Sequence, residues 1–303
     1  MESTLILMFI IGLADDIIQC VHNVIQSKCC CLDSDVVNGH DEDEETCESD
    51  EIVLEYAGDI LPNLGLAFGD SNKFKPYFAG MLAFLQKKSQ PNCTVGEKSF
   101  AAGSLAECME PLRGALDPFV PHLMPIFLKM AFDEDDDVRN NAVFGIGELV
   151  LHAGTIMHQH FNQILDILSK LMIKEESPRC LDQIVGATCR LILANKNLIP
   201  MEQVFPVICQ KIPLREDMDE YKTLFETFQL LYVGGMQPQI LQITPKIIEC
   251  AIHVMHSDEE FDKEKVWASA KCLLDKLNQD HPDQFKSFLT SFPNEQISSM
   301  GFL

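Results

Sequence analysis

Positive charge is what this chain has least of: 23 lysines and arginines stand against 46 aspartates and glutamates, a formal net charge of -23. No basic stripe occurs, so direct binding along a phosphate backbone, which rests on Lys and Arg displacing counterions, is not expected. Aromatic residues make up only 8%, with Trp267 the single tryptophan. The apolar stretch from Leu5 to Leu13 is far short of the about 20 residues needed to cross a bilayer. It follows Met1-Glu2-Ser3-Thr4 without the positive charge of a secretory leader and runs into Asp15-Asp16. It reads as a buried helix which, with Ile17, Ile18 and Val21, lacks the repeat it would pack against.

Catalytic and metal signatures are missing as well. No GxSxG, P-loop, HExxH or GxGxxG pattern occurs, and the nine histidines are scattered, His152, His158 and His160 included, so neither an enzyme nor a cofactor is expected. Twelve cysteines form no CxxC pair. Cys29-Cys30-Cys31 cannot arrange three thiolates tetrahedrally from adjacent positions unless His40 or Cys47 joins them, which leaves structural zinc a minor alternative. The other cysteines fall largely at apolar helix positions and act as small hydrophobes. Without an export signal, a reducing compartment is expected.

What the chain does have is an internal repeat. Lys75-Pro76-Tyr77-Phe78 leading into Glu97 to Leu105 can be laid over Val120-Pro121-His122-Leu123 leading into Val138 to Leu149. Pro76, Pro121, Pro206 and Pro245 continue the pattern at separations of 45, 85 and 39 residues, one, two and one periods of roughly 40. Read as the starts of first helices, where a missing N–H costs little, they mark helix pairs; His160 to Leu165 begins the skipped pair without a proline. Second helices are expected at Val95–Met109, Val138–His152, Cys180–Leu193, Asp219–Val233 and Lys263–Asn278, each apolar at helical spacing. Gly103, Gly145, Gly147 and Gly186 lie inside them, at about 0.5–1 kcal/mol each relative to alanine, and are read as points where stacked repeats approach closely. The fold class is therefore all-α, a HEAT-repeat α-solenoid of stacked antiparallel helix pairs in a right-handed superhelix. Residues 1–31 hold a partial HEAT helix, 32–51 an acidic disordered loop, and 52–303 the solenoid of about six pairs.

Acid is concentrated twice. Asp41, Glu42, Asp43, Glu44, Glu45, Glu48, Asp50 and Glu51 form a run with no neutralising base, read as a solvated loop and a candidate site for a basic partner. Asp133, Glu134, Asp135, Asp136 and Asp137 fill the turn between two helices, where capping is the main expected role. Glu97, Glu107, Glu148 and Asp182, on second helices taken to line a concave face, are the remaining candidates to meet basic cargo. A negative field of this size raises encounter rates with basic proteins and weakens with salt.

Two long segments carry a resemblance. Asn92 to Glu107 (Asn-Cys-Thr-Val-Gly-Glu-Lys-Ser-Phe-Ala-Ala-Gly-Ser-Leu-Ala-Glu) and Asp137 to Gly147 (Asp-Val-Arg-Asn-Asn-Ala-Val-Phe-Gly-Ile-Gly) follow an acidic insertion, Tyr56-Ala57-Gly58 and Lys75-Pro76-Tyr77-Phe78. In this order, with Leu214 to Tyr221 farther on, they resemble the C-terminal region of karyopherin-β transport receptors of the importin-4 type. The resemblance implies a nuclear import receptor that wraps basic cargo such as histones or ribosomal proteins. It implies release by the small GTPase Ran in its GTP form, nucleoporin contacts, and shuttling between cytoplasm and nucleus as a monomer. Members are several times longer and carry their principal Ran-binding repeats near the amino end, so the chain looks like a C-terminal fragment or truncated product. Cys180-Leu181 stands where Val138-Arg139 stood, which weakens a ladder of Arg and Asp contacts there. The rival reading is a constitutive HEAT scaffold, like that of a phosphatase, without a Ran switch.

Overall fold

The computed structural model describes residues 12–26 and 44–302, and every regular element among them is helical. The chain divides into two compact units, one ending at Met157 and the other running from His158 to Leu303. None of the described helices is long and apolar enough to cross a membrane.

The first unit contains α1 (Ala14–Ile25), α2 (Glu44–Phe68), α3 (Ser71–Lys88), α4 (Val95–Glu107), the single turn α5 (Met109–Leu112), α6 (Val120–Met130) and α7 (Asp136–His152). Several of these helix starts are capped by a side chain. Asp70 caps α3 by accepting the Asn72 N–H, and Asp135 caps α7 by accepting the Val138 N–H. Thr94 and Glu97 form a reciprocal capping box at α4, satisfying two of the amide groups that a helix start leaves open. Helices pair as α1 with α2, α3 with α4 and α6 with α7, while α2 stacks on α4 and α4 on α7.

The second unit repeats the plan with α8 (Phe161–Lys174), α9 (Pro178–Asn195), α10 (Met201–Lys211), α11 (Glu220–Val233), α12 (Gln237–His256) and α13 (Lys263–Asp280), followed by α14 (Pro282–Leu289) and α15 (Asn294–Ser299). Here α9, α11 and α13 stack side by side, whereas α8 and α10 stay apart and leave a groove between them. Close stacking on one side and looser spacing on the other makes the second helices the inner layer of each unit. The central helix α9 is buried almost all round from Asp182 to Ile192, as a helix enclosed by neighbours must be. Cys108, Cys180, Cys189 and Cys250 are buried, and burial pushes the Cys189 thiol up to about 12.

The amino-terminal helix α1 pairs with α2, burying Ala14, Val21 and Ile25, while Leu13, Ile17, Val24 and Ile60 line an open apolar cleft along the pair. Two expectations need correction. The acidic loop does not reach Glu51, because α2 begins at Glu44; glutamates are good helix formers, and negative charge in a first turn complements the helix dipole. The prolines mark the right helices but not their starts. Pro121 is in the first turn of α6, whereas Pro76, Pro206 and Pro245 lie inside α3, α10 and α12, whose earlier first turns begin after Asp70, Pro200 and Met236.

The glycines divide. A Cβ on Gly186 would lie 2.0 Å from Glu220 Oε2 of the stacked α11, so that junction does need glycine. Gly145 closes on Phe127 of its own pair, where a Cβ would meet the ring at 2.3 Å. At Gly103 the nearest atom, Asn141 Nδ2, is 3.5 Å away, an ordinary contact.

Candidate functional site

The polar chemistry of both units concentrates where one repeat meets the next. In the first unit, Lys98 of α4 reaches the α6–α7 turn and donates to both carboxylate oxygens of Asp133, at 2.8 and 2.7 Å. Asn141 of α7 reaches back to the Ser99 carbonyl at 3.2 Å and its hydroxyl at 2.9 Å. Arg139 donates to the carbonyls of Asp133 and Glu134 at 3.0 and 2.8 Å, tying the turn to the helix that follows it. Burial alone would raise the Asp133 carboxyl, but the Lys98 ammonium and the backbone N–H groups of Asp135 and Glu134 outweigh it and hold its pKa below the usual value.

In the second unit the corresponding role falls to Asp182. Its Oδ2 accepts the backbone N–H groups of Arg215, Glu216 and Asp217 at 2.8, 2.8 and 3.2 Å, and its residue is only 3% exposed. Beside it Gln183 donates to Asp217 at 2.6 Å. Deeper in the same junction Arg190 and Glu220 form a buried ion pair at 2.8 Å, their side chains 7% and 3% exposed. Desolvation raises the pKa of Asp182 against the pull of the three amides.

These contacts sort the acidic candidates. Asp182 is a buried anchor for the loop before α11 and cannot meet a cargo, a correction that follows from its burial. Glu97 is committed to its capping box and to an ion pair with Lys88; burial would raise its carboxyl, and the hydrogen bonds from Lys88 and Thr94 bring it below the usual value. Asp133 is held by Lys98, and Asp135 by its cap. Glu148 is half-buried and faces His152 at 3.1 Å. Glu107, Glu134, Asp136 and Asp137 are exposed. Glu44, Glu45, Glu48, Asp50 and Glu51 lie in the first two turns of α2, while Asp41, Glu42, Asp43 and Cys29-Cys30-Cys31 fall outside the described residues. Among the described residues no three His, Cys, Asp or Glu side chains are grouped to hold a metal.

Two concavities escaped the sequence reading. A groove of about 520 Å³ between α8 and α10 is lined by Leu165, Leu168, Met172, Val204 and Ile208, with Ile173 and Val207 exposed at its lip. A second cleft, of about 510 Å³, lies beside the α3–α4 and α6–α7 turns and has a mixed lining, Val95, Met130 and Phe132 alongside Lys98, Lys129, Asp133 and Glu134. Their only signal in the sequence is an apolar residue at a position where a helix pair turns or faces outward.

Comparison with known proteins agrees with this architecture. The HEAT repeat family model matches residues 123–153, which hold most of α6 and α7. Human importin-4 is 35% identical over 277 residues, covering 91% of this chain and 25% of the relative, so the chain spans a quarter of that protein's length. Among solved structures, the karyopherin Kap121p bound to the SUMO protease Ulp1p superposes with a TM-score of 0.66 at 11% identity, over 96% of this chain and 26% of the other. Kap121p bound to Nup53p superposes with a TM-score of 0.50 at 15% identity, over 93% and 28%. Stacked HEAT pairs joined through their inner helices, with 35% identity to human importin-4 over nine tenths of the chain and a quarter of the relative, mark this chain as corresponding to a HEAT-repeat segment of an importin-4-type karyopherin.

Proposed function

We propose that the chain serves as a cargo-binding part of a nuclear import receptor, engaging basic proteins such as histones or ribosomal proteins and shuttling between cytoplasm and nucleus. The observation that carries this is the net charge of -23 spread over a helix-pair scaffold that leaves Glu107, Glu134, Asp136 and Asp137 exposed. Such a surface attracts basic chains from a distance and holds them without a single dominant contact. The apolar groove between α8 and α10 has the opposite chemistry and suits a nucleoporin segment, a partner class that Kap121p also binds in its complex with Nup53p.

The test replaces the acids from Asp41 to Glu51 by Ser and Gln and follows association with a core-histone tail peptide. The association rate should fall about tenfold at low salt, and its salt dependence should flatten. Unchanged rates would remove the steering role. In the same assay Ile173→Asp should weaken capture of a nucleoporin peptide and leave the histone peptide untouched; equal loss of both would count against two separate surfaces.

A further inference from the structure

We propose that Lys174, at the carboxyl end of α8, is an acceptor for covalent attachment of a small ubiquitin-like modifier, recognised by its conjugating enzyme through Ile173 and Glu176. The site lies in the second unit and does not depend on what the chain carries.

The sequence here is Ile173-Lys174-Glu175-Glu176, a bulky aliphatic residue directly before a lysine and an acid two places after it. No other lysine of the chain has both neighbours. Each position meets one need of the transfer. A conjugating enzyme of this class binds its substrate directly: the aliphatic side chain docks on an apolar patch, the acid meets basic groups, and the lysine between them is led to the thioester. Apolar burial on one side and a charge-assisted contact on the other fix which amine reacts.

Three of these side chains face outward and the fourth is turned away. Ile173 is 82% exposed, the highest value for a large apolar side chain among the described residues. A single exposed apolar residue is ordinary by itself; its place beside an exposed Lys174 and an exposed Glu176 is what distinguishes it. The Lys174 side chain enters no hydrogen bond or ion pair among the described residues. Glu175 instead folds back and accepts the N–H groups of Glu176 and Ser177 at 3.1 Å each. One glutamate is thereby held to the backbone, and the other is left for a partner. The backbone also suits an enzyme groove, which takes an extended substrate. α8 ends at Lys174, and Glu175 (φ −72°, ψ 134°) and Ser177 (φ −67°, ψ 120°) are extended. The final carbonyls of a helix lack intrahelical partners, so Ile173 and Lys174 can unwind into that stretch at small cost.

The transfer needs no oxidant or reductant. The modifier's terminal glycine arrives as a thioester on the enzyme's cysteine, formed at the expense of ATP. The Lys174 ammonium loses a proton to solvent, and the resulting amine attacks the thioester carbonyl. A C–N bond forms, the C–S bond breaks, and the amine's second proton leaves with the cysteine thiol.

The full chain incubated with the activating enzyme, the conjugating enzyme, the modifier and ATP, without a ligase, provides the test, with products mapped by mass spectrometry. One dominant conjugate is expected, its isopeptide bond on Lys174, and Lys174→Arg should remove it while keeping the charge. Ile173→Ser and Glu176→Gln should each slow conjugation about tenfold, the loss of one docking contact. Ile173→Val should conjugate as the wild type does. Glu175→Gln keeps an oxygen for the two amides and should stay within about twofold. Ile173 and Glu176 are exposed, so their variants should retain the wild-type thermal unfolding profile. No conjugate, conjugation shared equally with other lysines, or an unchanged rate in either Ile173→Ser or Glu176→Gln would overturn the proposal. Equal slowing by Glu175→Gln and Glu176→Gln would overturn it too.

Discussion

Gly186→Ala is expected to lower the stability of the second unit by about 2–4 kcal/mol. The added methyl would lie 2.0 Å from Glu220 Oε2 and 3.0 Å from an Arg190 nitrogen. Neither group can withdraw into water, since both side chains are buried in the ion pair that joins α9 to α11. Breaking a buried pair costs about 3–5 kcal/mol, and the better helix propensity of alanine returns only about 1 kcal/mol. Gly103→Ala is the matched control: with 3.5 Å of clearance it should be neutral or stabilising by up to about 1 kcal/mol. Trp267 sits in α13, which stacks on α11, so its fluorescence during urea unfolding reports the second unit without interference from another tryptophan. A Gly186→Ala protein with an unshifted midpoint would contradict the close junction.

Asp182→Ala should also be damaging, at about 1–3 kcal/mol, because three amides of the 215–217 segment lose the acceptor they share. Asp182→Asn retains an oxygen acceptor without the charge and should recover part of the loss. Amide exchange in residues 214–218 should accelerate in both variants, more in the alanine variant. The salt dependence of cargo binding should not change, which separates an internal anchor from a contact with cargo. Wild-type stability of Asp182→Ala together with a reduced salt slope would return Asp182 to the binding surface.

The inner helices were readable because apolar and small residues recur in each at helical spacing. Asp136–His152, Pro178–Asn195 and Lys263–Asp280 differ from their expected spans by only a few residues. The outer helices were placed less well at their starts, since Pro76 and Pro206 were taken for first-turn residues when a further turn of helix precedes them. Acidic composition was legible; which carboxylates are held inside the repeat junctions and which lie at the surface was not. That division depends on partners far away in the chain, Lys98 for Asp133 at a separation of 35 residues and the amide of Arg215 for Asp182 at 33. No local pattern announces such pairs. Similarly, the altered Cys180-Leu181 position pointed to a weakened ladder, yet the α9–α11 junction is held by Asp182, Gln183 and Arg190 with partners of their own.

The most direct measurement is equilibrium binding of the purified chain to a core-histone tail peptide across a salt series, with and without GTP-loaded Ran. The account predicts binding whose affinity falls steeply as salt rises, with many weak contacts sharing the energy. Loss of binding on adding GTP-loaded Ran would place the release switch within this chain, and persistence would place it in repeats outside it. Absence of histone-peptide binding at low salt, or an affinity indifferent to salt, would contradict the cargo-binding account and favour a constitutive HEAT scaffold.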